Sequence, residues 1–217
     1  WSFFTLTWHS LMLAAIAAIV AVLLALLLAY GKRLRSTPLI EGSVRAAAMG
    51  YAVPGTVIAV GVLIPFAWLD NTVDGWMRDS FGISTGLLLS GTIVALIFAY
   101  TVRFLSVSIQ AVESGLSKIK PSMDDAGRSL GLRPMGVLRR IHLPIMKGTV
   151  LTALLLVFVD VLKELPATLI LRPFNFNTLA VRAYEMAADE RLADAGAPAL
   201  MIVLAGIIPV ILLSRAI

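Results

Sequence analysis

Residues 121–144, PSMDDAGRSLGLRPMGVLRRIHLP, form the longest polar interval in a very apolar chain. Their spacing predicts two short helices joined at a glycine. Pro121 suits a first helical turn, where its missing N–H is no loss. Ser122 and Asp125 have the S-x-x-D spacing of a capping box, and Asp124 and Asp125 stand at the positive end of the helix dipole. Gly131 is a natural left-handed residue to stop the first helix. Pro134 can open the second helix, and Pro144 is expected to end it.

Membrane-type segments lie on both sides. The chain is 59% hydrophobic, with a mean hydropathy of +0.92, outside the range of soluble domains. Residues 11–30 are twenty positions without a charge, the length a helix needs to cross a bilayer core. Gly31, Lys32, Arg33 and Arg35 follow as a basic stop. Further spans are expected at 46–69, 80–102, 145–170 and 195–213, five in all. Residues 70–79 are expected to be a short acidic loop, with Arg103 ending the third span and Arg215 the fifth. The reading is all-α and polytopic. No repeat or low-complexity linker divides residues 1–217, so they read as one transmembrane domain containing the 121–144 segment. The chain starts at Trp1 without Met and stops at Ile217 just after an apolar run, and is expected to be a piece of a longer protein.

Charge sets the expected orientation. The 32–35 loop and the 103–147 interval are basic, 70–79 is acidic and 172–194 is mixed. The positive-inside rule then puts the 121–144 segment in the cytoplasm and the amino end of this piece outside. The net charge of +5 sits in loops between apolar spans, a distribution that fits membrane topology and not a nucleic-acid patch.

Several chemistries are excluded. With no cysteine, disulfides and thiolate metal sites are impossible. The phosphate-cradling G-x4-G-K-[ST] motif is absent, so ATP-driven work needs a partner. The two histidines, His9 and His142, fall at opposite membrane faces and cannot build one site; each reads as an interfacial polar residue.

Ionisable groups inside the fourth span are the remaining candidates. Asp160, Lys163 and Glu164 have i, i+3, i+4 spacing, which puts them on one helix face, and Pro166 after them is expected to bend or end the helix. Charges inside a span usually face a cavity or a partner. They read either as a polar lining of a translocation route or as a structural ion pair. The second span carries Gly50, Pro54, Gly55, Gly61 and Pro65, which permit close contact and local breaks. These residues read either as simple packing or as lining a path, and Tyr51 and Pro54 join the candidate lining.

The 121–144 segment resembles the cytoplasmic coupling motif of ABC importer permeases, E-A-A-x3-G-x9-I-x-L-P. The matching positions are Asp125, Ala126, Gly127, Gly131, Ile141, Leu143 and Pro144, with Asp124 just before them. Asp125 stands in place of Glu and Gly127 in place of the second Ala. Residues 50–63 (GYAVPGTVIAVGVL), 101–116 (TVRFLSVSIQAVESGL) and 158–200 resemble permeases of ferric-iron importers. The runs KELPAT from Lys163 and RPFNF from Arg172 are the most specific parts. That resemblance implies the second of two permease cores fused in one chain. It implies alternating access driven by a cytoplasmic ATPase dimer that binds ATP and magnesium, with a periplasmic binding protein delivering substrate. It also implies no cofactor or stably bound metal in this chain, and the lipid of a bacterial inner membrane around it, with the amino end of this piece in the periplasm. Thiamine, sulfate and polyamine permeases share the coupling motif. An ion-coupled secondary transporter would use the Asp160, Lys163 and Glu164 group and would not need that motif.

Overall fold

The computed structural model describes residues 2–214; Arg215, expected to close the last span, lies outside them. The described residues form helices and no strands. Helix α1 is Phe3–Leu34, 32 residues, about 48 Å at helical rise and well over a bilayer core of about 30 Å. The Ser2 side chain caps it by accepting the Thr5 N–H, and Lys32 and Arg33 stand in its last turn. Its buried stripe is small: Ala14, Ala17, Ala18, Ala21 and Ala25 are covered, while Leu23, Leu24 and Leu27 face outward. Small residues let helix backbones approach closely in lipid, where apolar side chains gain nothing by clustering.

The stripe packs against α4 (Ile93–Ser117) and α7 (Lys147–Leu162). These three helices hold two stacked core clusters. One joins Leu13 to Ala21 with Ala95 to Phe104 and Val157. The other joins Val22 to Ala29 with Ile109 to Ile119 and Ala153. Loops 35–37 and 118–120 lie at the second cluster's end, here called the basic end.

The second span starts later than its hydropathy suggests. Helix α2 (Pro38–Ala48) is separate, capped by Thr37, with Val44 as its buried residue. The chain then makes a tight turn at Gly50–Ala52 and restarts as α3 (Gly55–Phe81). Pro54 forces this break: it lacks an N–H and holds Val53 extended, with ψ of 132°. Gly50 is required there, because a Cβ would sit 1.9 Å from the Val102 carbonyl oxygen.

Residues 70–79 are not a loop. Helix α3 runs through them and stops at Gly82, whose φ is +69°. Their carboxylates serve the segment that follows instead. Asp70 is buried and accepts the N–H groups of Leu88, Leu89 and Ser90. Asp74 accepts those of Thr85 and Gly86. Residues 82–92 are therefore the true connection, and the third span begins at Ile93 behind the Thr92 cap. Arg103 does not end that span, since α4 continues to Ser117.

After α5 (Pro121–Ser129) and α6 (Pro134–Ile145) the chain bends by 81° into α7. Helix α7 ends at Leu162, and α8 (Pro166–Leu171) resumes after three residues. The 172–194 connection contains a further helix, α9 (Leu179–Ala188), before α10 (Leu192–Ser214). Helices α1, α3, α4 and α10 are each long and apolar enough to cross a membrane, and the bent pair α6 and α7 makes up to five crossings.

Candidate functional site

Two constructions stand out, both where helices are interrupted. The first is the 121–144 segment. Pro121 takes the first helical position of α5, which leaves Lys120 as its cap without a side-chain bond. Ser122 is thereby inside the first turn, and the capping box does not form. The stop is as expected. Gly131 has φ of +81°. Its N–H bonds to the Arg128 carbonyl at 2.9 Å, and the Leu132 N–H bonds to that of Gly127 at 3.0 Å. This reciprocal pattern is a Schellman cap.

Gly127 faces Ile141: a Cβ there would lie 2.8 Å from Ile141 Cδ1 and 3.2 Å from Val137 Cγ2. The glycine that weakens α5 by itself therefore seats it on α6. Pro144 does not end α6, which runs on to Ile145. The missing N–H of Pro144 is absorbed by a π turn over Leu138–His142, in which the Leu143 N–H reaches back to the Leu138 carbonyl.

The π turn directs His142 inward. It is fully buried within the protein, and its Nε2 lies 2.5 Å from Asp124 Oδ1. An ionised carboxylate only accepts, so this nitrogen carries the proton. The other Asp124 oxygen accepts Arg33 Nε at 2.9 Å. Arg33 also donates to the Leu116 carbonyl at 2.6 Å and the Ile119 carbonyl at 2.8 Å. Burial alone would raise the Asp124 carboxyl, but the hydrogen bonds and charges of Arg33 and His142 outweigh it and hold it below its ordinary value. One turn earlier, Tyr30 donates to the Pro134 carbonyl at 2.7 Å. Asp124 and Gly127 thus face inward, while Asp125, Ala126, Met123 and Leu130 are exposed.

The second construction lies inside the bundle. Arg103 is ten residues into α4, about 15 Å from that helix's start. Its Nη1 donates to the Val53 carbonyl at 3.1 Å, in the break before α3. Its Nε is 3.5 Å from Glu164 Oε2, in the break after α7, and is buried without a hydrogen bond. Glu164 is buried, and its other oxygen accepts the Ala167 N–H at 3.1 Å. A Cβ on Gly55 would come within 2.7 Å of Glu164 Oε1 and 2.9 Å of Arg103 Nη1. The first turn of α3 therefore rests on the pair, with its positive dipole end toward Glu164. Tyr100 and Thr168 share a hydrogen bond beside it.

This arrangement corrects the expectation for Asp160, Lys163 and Glu164. They do not share a helix face. Pro166 lacks the N–H that would continue α7 and crowds the preceding turn, so the helix stops at Leu162. Lys163 pairs with Asp160 at 2.9 Å and stays largely exposed, while Glu164 turns the other way to Arg103. Tyr51 and Pro54 are exposed beside the α3 break. The sequence reading gives Arg33 and Arg103 only as stops to spans and gives Tyr30 no role. For Arg103 the available signal is that an arginine amid apolar residues needs a partner.

At the opposite end, the His9 ring stacks on Phe176 with centroids 4.3 Å apart. Ser10 Oγ accepts the Leu179 N–H at 2.9 Å. Phe176 is buried and Phe174 fully exposed, so the two phenylalanines of the RPFNF run have opposite surroundings.

Known proteins share both the sequence pattern and the fold. Residues 21–217 match the family described as binding-protein-dependent transport system inner membrane component. A relative from Haemophilus influenzae, the Fe(3+)-transport system permease protein FbpB 2, is 32% identical over 165 residues, 76% of this chain. The chain spans only 29% of that relative's length. The putative 2-aminoethylphosphonate transport system permease protein PhnV of Salmonella typhimurium is 24% identical, over 70% of this chain and 51% of its own. Among solved structures, a bacterial alginate ABC transporter in complex with its periplasmic protein has a chain matching with a TM-score of 0.74. It is 13% identical, covering 98% of this chain and 77% of that one. The inward-facing methionine ABC transporter MetNI has a chain matching with a TM-score of 0.66, 15% identical, covering 99% and 97%.

Proposed function

We propose, from the premise that this chain belongs to the binding-protein-dependent transport system inner membrane component family, that it is one permease core of an ATP-driven ferric-iron importer. The observation that carries this reading is the 121–144 segment. Its first helix presents Asp125, Ala126 and the capping Leu130 outward and its second presents Met135, and both are bonded on their other side to α1. That is what a coupling element requires: a free face for a partner and a fixed face toward the spans. Under this reading the basic end is cytoplasmic. A partner ATPase dimer binds ATP and magnesium there and closes on the exposed face. A periplasmic binding protein delivers substrate at the far end, near Phe174. The other core belongs to the same full-length chain.

The iron relative, at 32% identity, supports ferric iron as the substrate. Alternating access then moves the ion between the two cores. Because Glu164 is committed to Arg103 and to α8, its charge serves to position those breaks. Tyr51, Pro54 and Lys163 are the exposed candidates for the path itself. The deciding experiment reconstitutes the full-length permease with its ATPase and an iron-loaded binding protein. Iron uptake that needs ATP and the binding protein is expected. Uptake driven by an ion gradient without the ATPase would overturn the reading.

A further inference from the structure

Helix α1 carries no residue of the family motif, yet it touches both ends of the machinery. Arg33 uses all three guanidinium nitrogens, and each goes to a different element position. Nε bonds Asp124 of α5 at 2.9 Å. Nη1 bonds the Leu116 carbonyl in the last turn of α4 at 2.6 Å, and Nη2 the Ile119 carbonyl just beyond it at 2.8 Å. The Leu116 carbonyl also accepts the Ile119 N–H at 3.1 Å, so this one side chain reinforces the end of α4 while gripping α5. Asp124 passes the link to α6 through His142. Lys32 adds an outer tie from α1 to Glu113 of α4 at 2.7 Å. From there α1 runs to its start without a proline or a break, unlike α3 and α10, which contain internal prolines. At that start His9 and Ser10 hold residues 176–179.

We propose that Arg33 is a positioning residue that latches both coupling helices and the end of α4 to α1, and that α1 acts as a rigid strut carrying their movement to residues 176–179 on the far side. This rests on the permease reading above. The latch needs a fork of donors aimed at three acceptors. A lysine keeps the charge but has one compact ammonium on a flexible stem.

The test uses the full-length permease assembled with its ATPase and binding protein. Arg33→Lys is expected to assemble and to keep basal ATP hydrolysis, while iron delivered per ATP falls by about tenfold or more. Unchanged delivery per ATP in this variant would overturn the latch. A parallel fall of uptake and hydrolysis that tracks a lowered Tm would do so too, since that marks mere stabilisation. A second measurement does not depend on that variant folding. Cysteines replacing Lys32 and Glu113 are bridged by a short bifunctional thiol reagent. If α1 and α4 move as one block, the bridged complex keeps its uptake. Loss of uptake on bridging, with the unbridged pair active, contradicts the strut. A wild-type complex that shows no ATP-driven uptake at all would remove the permease reading itself.

Discussion

The basic end and the middle of the bundle each bury an arginine beside a carboxylate where helices break, and they hold the pair in different ways. Arg33 and Asp124 meet at 2.9 Å, and Arg33 has a hydrogen bond from every nitrogen. Arg103 and Glu164 stand 3.5 Å apart, with Arg103 Nε lacking a hydrogen bond. The first pair fastens four elements into a block. The second lies between two helix breaks, each marked by a proline, and is less completely satisfied. A transporter that changes shape needs parts that move together and joints about which they move. The fully bonded pair suits the former role and the looser pair the latter.

The largest effect is expected at the joint's tightest contact. Gly50→Ala places a Cβ 1.9 Å from the Val102 carbonyl oxygen, and backbone on backbone cannot yield. We expect loss of folded protein, read as absent monodisperse material after extraction. Normal yield would mean that the α2 to α3 turn does not rest on α4.

That turn also shows what could be read from residues alone. Pro54 and Gly50 marked a place where breaks are tolerated, but hydropathy carried the span straight through them. The same blindness turned residues 70–79 into a loop. A charge count cannot see that Asp70 and Asp74 accept backbone N–H groups between Thr85 and Ser90 from within a helix. The bend at Gly131 and the helix start at Pro134 were legible because they depend on local backbone chemistry. The Arg103/Glu164 pair was not legible, because it joins residues sixty-one positions apart and its geometry follows from Pro166 ending α7. The burial of His142 against Asp124 was not legible for a similar reason: nothing local announces the π turn that directs it inward.

Next in size is the joint's charge pair. Removing one member of a buried pair leaves a bare charge, at about 3–5 kcal/mol, whereas replacing both with apolar groups is often neutral. Arg103→Met and Glu164→Met are each expected to lower thermal stability strongly, and the double variant to recover most of it. Lys163→Met, by contrast, is expected to cost less than either of these changes, since the Lys163 side of its pair with the half-buried Asp160 is open to water. Additive losses in the double variant would show that the two charges act separately.

The block at the basic end should respond to pH in one direction. The Asp124 carboxyl is held below its ordinary value of 3.8, so the stability it contributes is present above that value and is lost as pH falls through the lower folded one. Protection of the Leu132 amide, measured by hydrogen exchange, is expected to be flat from pH 7 to about 5 and to fall only below about 4. A decline between pH 7 and 6 would place control with another group.

The smallest effect is expected at Gly127. The Cβ of Gly127→Ala meets Ile141 Cδ1 at 2.8 Å, the end of a side chain that can turn aside. The strain is set against a gain in helix propensity of about 1 kcal/mol. A Tm change of no more than a few degrees is expected, against loss of folded protein for Gly50→Ala.

The most direct test of the coupling role is a contact map of the assembled importer. The chain has no cysteine, so a thiol cross-linker acts only where a cysteine is placed in it. A cysteine at Ala126, on the exposed face of α5, is expected to cross-link to the ATPase subunit, and one at Phe174, at the other end of the bundle, is not. Cross-linking of the ATPase through Phe174, or none through Ala126 in an active complex, would contradict the assignment of residues 121–144 as the coupling segment.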